Sequence, residues 1–383
     1  MTDMKSKKSL FYTLVLLFIA LIIHIYSGNP VRVENQFSTT FYPAISRGLR
    51  YIFGWLPFSF GDILYGALIF WFTLKVFKGF KALFKRKSTL VNNNIESGME
   101  TVAGADVNKP CIKLQGRLHK VARVLIVIYI LFNLLWGINY NRTGIAAQIG
   151  LQMEKYNRED LILINGLLVE KVNASKATLI NQQLKYPSNK VLFGKVADAY
   201  KQAAKVYPFL KYSPVSLKPS VWSWFGNYIG FTGYYNPFTG EAQVNTLVPK
   251  FLQPFTSCHE VAHQLGYAKE MEANFVGYLS ATASADTLLH YSTYLDLFMY
   301  CNQNLFETDS LAAKTFRKLL STAVIDDIDE WRLFNINHRS IAEPIFRWVY
   351  GAYLKQNQQP QGVLSYDEVT GFIIAYYKKF GKI

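Results

Sequence analysis

The chain has 383 residues, 50% hydrophobic, 16% aromatic and only 17% charged, a composition that excludes a mostly disordered protein. Its formal charge of +15 sits mainly in residues 1–123, which carry 17 Lys and Arg against 6 Asp and Glu. That excess lies beside apolar runs rather than along a basic stripe, so no nucleic acid partner is expected.

The first apolar run, Leu10–Tyr26, follows Lys5, Lys7 and Lys8 and precedes Gly28-Asn29-Pro30. It shows no small-residue cleavage site, so it predicts a transmembrane helix at about 10–26 rather than a signal peptide. A second run predicts a span at about 60–76, closed by Lys75, Lys78 and Lys81. A third predicts one at about 121–137, with Trp136 at the interface. Residues 1–137 thus read as a three-span anchor whose partner is the lipid bilayer. The N-terminal tail and the segment 75–123 together hold fourteen Lys and Arg, against three in 28–59. This asymmetry places the N-terminus and a linker at 82–116 in the cytoplasm. Residues 138–383 then form a domain outside the cytoplasmic membrane, periplasmic or extracellular.

In that outer domain, helices are expected at 157–183, 189–206, 255–265, 268–300, 311–323, 339–357 and 366–379. Between Trp222 and Asn245 the glycines at 226, 230, 233 and 240 punctuate short aromatic and β-branched runs, which points to a small sheet or hairpin. The fold class is mainly α: three N-terminal spans, then a mostly helical α+β domain with a minor β element. Of the three cysteines, Cys111, Cys258 and Cys301, none forms a Cys-x-x-Cys pair; Cys258 is expected to pack as a free thiol.

The chemistry concentrates in Cys258-His259-Glu260-Val261-Ala262-His263-Gln264-Leu265-Gly266. Four residues on a helix turn about 400°, so His259 and His263 share one face a turn apart, where two imidazoles reach one Zn²⁺. Glu260 stands beside the first ligand as the base for a zinc-activated water. One Zn²⁺ per chain is expected. A catalytic zinc takes three protein ligands, and two glutamates compete for the third place. On a continued helix Glu270 would lie about 10 Å too far along the axis. Gly266 offers a left-handed cap at which the chain can turn back and return Glu270 to the metal. Asn274, four residues on, then supports a ligand imidazole, while Ala273, Gly277 and Ala281 leave room for close helix packing. Glu272 falls about 200° away and is expected to be solvated or ion-paired.

His-Glu-x-x-His followed by Glu-x-x-Ala-Asn resembles the gluzincin metallopeptidases, which implies a zincin-like domain with Glu270 as third zinc ligand and Asn274 behind a histidine. Glu270–Phe275 is similar to the signature of the anti-repressor and radiation-response metallopeptidases. The interval from His263 to Glu270 is shorter than in most gluzincins. The whole chain resembles an uncharacterised bacterial membrane family, the domain-of-unknown-function family numbered 3810. That likeness is carried by the three spans, Asn236-Pro237-Phe238-Thr239-Gly240-Glu241-Ala242, Pro254-Phe255-Thr256 and the His-Glu-x-x-His-Gln-x-Gly helix. The peptidase likeness implies an edge strand within Gly233–Asn245, with Tyr234, Tyr235, Asn236 and Glu241 along an extended substrate; the alternative is a structural hairpin. Tyr234, Tyr235, His290, His338 and Arg339 are all candidates for a transition-state donor. The function so implied is a membrane-anchored zinc metallopeptidase acting on a peptide or protein of the envelope. The other reading is a catalytically silent zinc-binding envelope protein, with a binding or assembly role.

Overall fold

The computed structural model describes residues 2–96, 108–366 and 368–383. They are mostly helical, with one three-stranded sheet. The chain groups into two compact units, residues 1–22 with 60–131, and residues 23–59 with 132–383. The sequence marked one boundary near residue 137; in the structure the stretch 23–59 groups with the C-terminal unit.

The smaller unit is built from long helices, Thr2–Ser27, Phe60–Glu96 and Asn108–Leu135, the first and last continuing into the larger unit. Among the described residues two helices are long and apolar enough to cross a membrane. They are Ser9–Ser27, of mean hydropathy 2.3, and Phe60–Gly79, of 1.5, both with few buried residues. Three spans were expected; among the described residues the third run does not meet this measure. The third run is helical, but its helix stops at Leu135 and Gly137–Asn141 tightens into a 3₁₀ turn. The apolar rise from Val121 to Leu135 is only about 22 Å, against a hydrocarbon core of about 30 Å. The linker expected at 82–116 is helix up to Glu96 and again from Asn108; its centre, 97–107, lies outside the described residues.

The larger unit opens with Asn29, whose side chain accepts the Arg32 N–H, a π-helical stretch Val33–Phe41 and the helix Tyr42–Phe53. Tyr42, Ser46 and Arg50 recur every fourth residue, so they form one stripe, and all three are buried. The main core packs the helices Arg158–Asn181, Asn189–Val206 and Thr287–Thr308 with the helices Gln253–Gln264 and Glu270–Thr282, the first of which carries the His-Glu-x-x-His residues. Asn157 and Asp160 close a reciprocal capping box at the first of these. The single helix expected over 268–300 divides, because the Asp286 side chain accepts the Leu288 and Leu289 N–H groups and starts a new helix. The run expected at 311–323 likewise divides, into Ser310–Lys318 and Thr322–Asn337.

The sheet has the order β1-β3-β2. β1 (Leu217–Pro219) lies parallel to β3 (Glu241–Val244), with Leu217 opposite Ala242. β2 (Gly233–Asn236) pairs antiparallel with β3, from Gly233 opposite Val244 to Asn236 opposite Glu241. The hairpin falls where the glycine pattern placed it. The sequence did not show β1, nor the short helix Ser223–Ile229 that ends at left-handed Gly230.

Candidate metal centre

The motif helix, Gln253–Gln264, has Pro254 in its first turn, where a missing N–H costs nothing, and every residue is buried. Gly266 ends it at φ +91°, and an added Cβ would stand 2.8 Å from the Tyr42 ring, so only glycine fits there. The Tyr267 N–H returns to the Ala262 carbonyl at 3.2 Å, and the chain doubles back into a return helix, Glu270–Thr282. Close approach of the two helices rests on Gly277, where a Cβ would be 3.3 Å from both the His259 nitrogen and the Phe255 ring.

This turn brings His259, His263 and Glu270 together, all buried, with their ligand atoms within 4.8 Å of one another. Glu270 Oε2 lies 3.2 Å from His259 Nε2 and 3.3 Å from His263 Nε2. Two ligands about 2.0–2.1 Å from one tetrahedral ion lie about 3.3–3.4 Å apart, so the spacing fits a metal. Proton placement fits as well. His263 Nδ1 is 2.7 Å from the Tyr267 carbonyl, which can only accept, and His259 Nδ1 is 2.7 Å from Asn274 Oδ1. With both Nδ1 atoms donating, the neutral rings turn bare Nε2 lone pairs toward Glu270 Oε2. That buried oxygen has no hydrogen-bond donor, and three lone-pair atoms converge where a cation is needed.

In the protein alone, burial favours neutral His263, but the Glu270 carboxylate against it pushes its pKa up to about 9. Burial opposes ionisation of Glu270 too, yet the two imidazoles hold its pKa well below the usual carboxylate range. His259 is lowered by burial. Tyr350, on the helix Ala342–Gln356, donates to Glu270 Oε1 at 2.8 Å, and the Glu270 N–H donates to Gln359 Oε1 at 2.9 Å. Sequence reasoning missed both, since they lie 80 and 89 positions from Glu270 and belong to no motif.

Glu260 is 3% exposed, and its Oε2 has no partner. Burial pushes its pKa up to about 8. It rests against Gly233 at the start of β2, where an added Cβ would be 2.5 Å from Glu260 Oε1. β2 is therefore an edge strand beginning at the candidate base. Of the residues expected along it, Tyr234 reaches Ser220 and Tyr235 reaches Tyr42, each at 3.3 Å between hydroxyls. Asn236 and Glu241 are wholly buried opposite each other at the turn end of the ladder, where they serve the hairpin. His290 and His338 hydrogen bond to the Ser284 and Phe334 carbonyls, and Arg339 is exposed; none of the three is in the metal group.

Glu272 stays apart from the metal group, but the expectation that it is solvated or ion-paired is corrected. It is 3% exposed, packs on Gly144 so closely that a Cβ there would overlap its carboxylate, and leaves Oε2 without a partner. Burial raises its pKa. The motif helix turns that face of the return helix inward, against the loop after Trp136.

The C-terminal end of the motif helix is held by residues distant in sequence. Tyr42 and Ser46 donate to the Gln264 carbonyl at 3.0 and 2.6 Å, and Trp136 Nε1–H donates to that of His263 at 3.1 Å. These are two of the carbonyls that a helix end leaves open. Below them Arg142 forms a two-pronged buried pair with Glu34, at 3.0 and 2.6 Å, and donates to the Gly266 carbonyl at 3.1 Å. Cys258 and Cys301 are buried free thiols.

No curated protein and no solved structure matches this chain. The family described as "Protein of unknown function (DUF3810)" matches residues 37–374, from before Tyr42 to beyond Gln359. With residues 37–374 matched, most of its length, the chain belongs to that family.

Proposed function

We propose that the chain is a membrane-anchored zinc metallopeptidase that hydrolyses peptide bonds in the bacterial envelope. The observation that carries this reading is Glu260, a buried carboxylate with an unpartnered oxygen next to a three-residue group that already suffices for the metal. A purely structural site has no use for it. Zinc held by His259, His263 and Glu270 would supply Lewis acidity toward water and the scissile carbonyl. Glu260 takes the proton of the attacking water at Oε2 and returns it to the leaving nitrogen. Asn274 and the Tyr267 carbonyl fix the two rings, and Tyr350 fixes Glu270. The position of β2 as the outer strand of the sheet, starting at Gly233 beside Glu260, supports an extended peptide laid along Tyr234 and Tyr235.

Anchoring is supported by the two exposed apolar helices. The fourteen-to-three distribution of Lys and Arg supports an inside N-terminus. With the helix that ends at Leu135 as a third, short crossing whose Lys120 and Arg123 reach back to the headgroups, residues 28–59 and the catalytic unit lie together outside the cytoplasmic membrane. Metal analysis and peptide-library turnover of the full-length protein test the reading. His263→Ala loses stoichiometric zinc and Glu272→Gln keeps it. Glu260→Gln keeps zinc but lowers hydrolysis by about two to four orders of magnitude. A zinc-loaded wild type that cleaves nothing returns the chain to the silent zinc-binding role.

A further inference from the structure

We propose that the helix Ala342–Gln356 docks on the bilayer surface and braces the metal group from there, so that the substrate is a polypeptide segment lying at the membrane interface. This rests on the membrane-anchored peptidase reading above. The helix is apolar on the outside. Ile341, just before it, is 91% exposed, Ile345 62% and Trp348 75%, and their spacing of four and three residues makes one stripe. A soluble domain buries such a stripe or uses it.

The opposite face carries Tyr350, about 200° around the helix from Trp348, with its hydroxyl on Glu270 Oε1 at 2.8 Å. One turn further, the Tyr353 ring stands 6.3 Å from Phe132, at the end of the third apolar run. The docking helix thus has Phe132, in the last turn of the helix Asn108–Leu135, as a ring neighbour. Its occupant is read from the adjoining groove of about 650 Å³, which Arg347 and Lys355 line together with Trp348, Ala352 and Leu364. Cations set among apolar side chains match phosphodiester headgroups next to acyl chains, with tryptophan at the boundary where it is enriched. A two-fold dimer through the same face would set these cations against their own copies.

The test uses the full-length chain in anionic phospholipid nanodiscs, with lipids brominated just below the headgroup. Comparison with Trp348→Phe isolates the Trp348 fluorescence, and comparison with Trp71→Phe isolates a tryptophan inside the helix Phe60–Glu96. We expect both to be quenched. We expect the double variant Ile341→Glu, Ile345→Glu to lose Trp348 quenching with zinc stoichiometry, a check of folding, unchanged. That variant also loses turnover of a lipid-anchored peptide while keeping turnover of the same peptide free in solution; equal loss on both overturns the substrate assignment. Trp348 unquenched while Trp71 is quenched overturns the docking, and an accompanying dimer that the double variant dissociates assigns the face to a second copy. Trp71 unquenched overturns the membrane reading beneath it.

Discussion

The motif helix is held from two sides that differ in how far the chain travels to make them. Its metal face is completed by the return helix, with Asn274 only 15 positions from His259. Its C-terminal end is completed by Tyr42 and Ser46, 222 and 218 positions before Gln264. The near side supplies the metal group and the far side keeps it in place. A His-Glu-x-x-His pattern therefore identifies the chemistry without identifying the piece of chain that folds around it. In this protein that piece includes residues 23–59, the end of the first apolar helix and the stretch that leads to the second, which group with the C-terminal unit.

The strongest way to break this comparison is truncation. Residues 138–383 alone lack Tyr42, Ser46, Trp136 and Glu34, which leaves the Gln264 carbonyl open, strips the indole donor from that of His263 and leaves Arg142 buried without its carboxylate. We expect no cooperative thermal transition and no stoichiometric zinc from that fragment, and a zinc-loaded, cooperatively melting fragment would show the far side to be dispensable.

A single substitution asks the same question more gently. Arg142→Met leaves Glu34 buried without a cation, and breaking a buried pair from one side costs about 3–5 kcal/mol. Denaturant unfolding should show that loss, and the double variant with Glu34→Gln should recover part of it. Burial raises the Glu34 pKa, but the Arg142 guanidinium overrides this and holds it below 4.5. A depressed carboxylate stabilises the fold above its unfolded value and loses that contribution as pH falls through its folded value. The wild type should therefore lose stability on acidification below about pH 4.5 more steeply than the double variant does.

What the sequence revealed follows the same division. The fixed pitch of a helix placed His259 and His263 on one face, and Gly266 gave the turn that makes Glu270 rather than Glu272 the converging carboxylate. These are local geometry and need only a few neighbouring residues. Glu272 was misjudged because its surroundings, Gly144 and the loop after Trp136, come from more than a hundred positions away. Tyr350 and Gln359 were invisible for the same reason. A helix was expected over 339–357, but no periodicity says which distant carboxylate its inward face meets. Composition also does not show where a helix stops, and the third apolar run is cut short at Leu135.

The near side offers a subtler test at Gly233. A methyl group there would stand 2.5 Å from Glu260 Oε1, so Gly233→Ala must displace the carboxylate or the strand. His259, His263 and Glu270 are untouched, so zinc content should not change. A catalytic group moved by about 1 Å costs about 100-fold in rate, and turnover at saturating zinc should fall by that much. Unchanged turnover would detach β2 from the chemistry and leave the hairpin with a structural role only.

The smallest expected effect tests whether the far side reaches the metal itself. Tyr350 comes from a distant helix and places one hydroxyl on Glu270 Oε1, while Oε2 faces the two imidazoles. Tyr350→Phe keeps the ring, which stacks on Tyr353 with centroids 6.0 Å apart, and removes only the donor. Glu270 then keeps its backbone tie to Gln359 but can turn about its last bond, so its ligating oxygen is less well aimed. Loss of such a support costs about tenfold or more in metal affinity, which competition with a chelator of known strength would read as a weaker zinc complex at unchanged stoichiometry. Because the loss is one of orientation, Tyr350→Phe should add nothing in a Glu270→Gln background, where the carboxylate it aims is gone. Additive losses would mean that the hydroxyl acts on the fold at large, and the helix Ala342–Gln356 would then stand beside the metal group without bracing it.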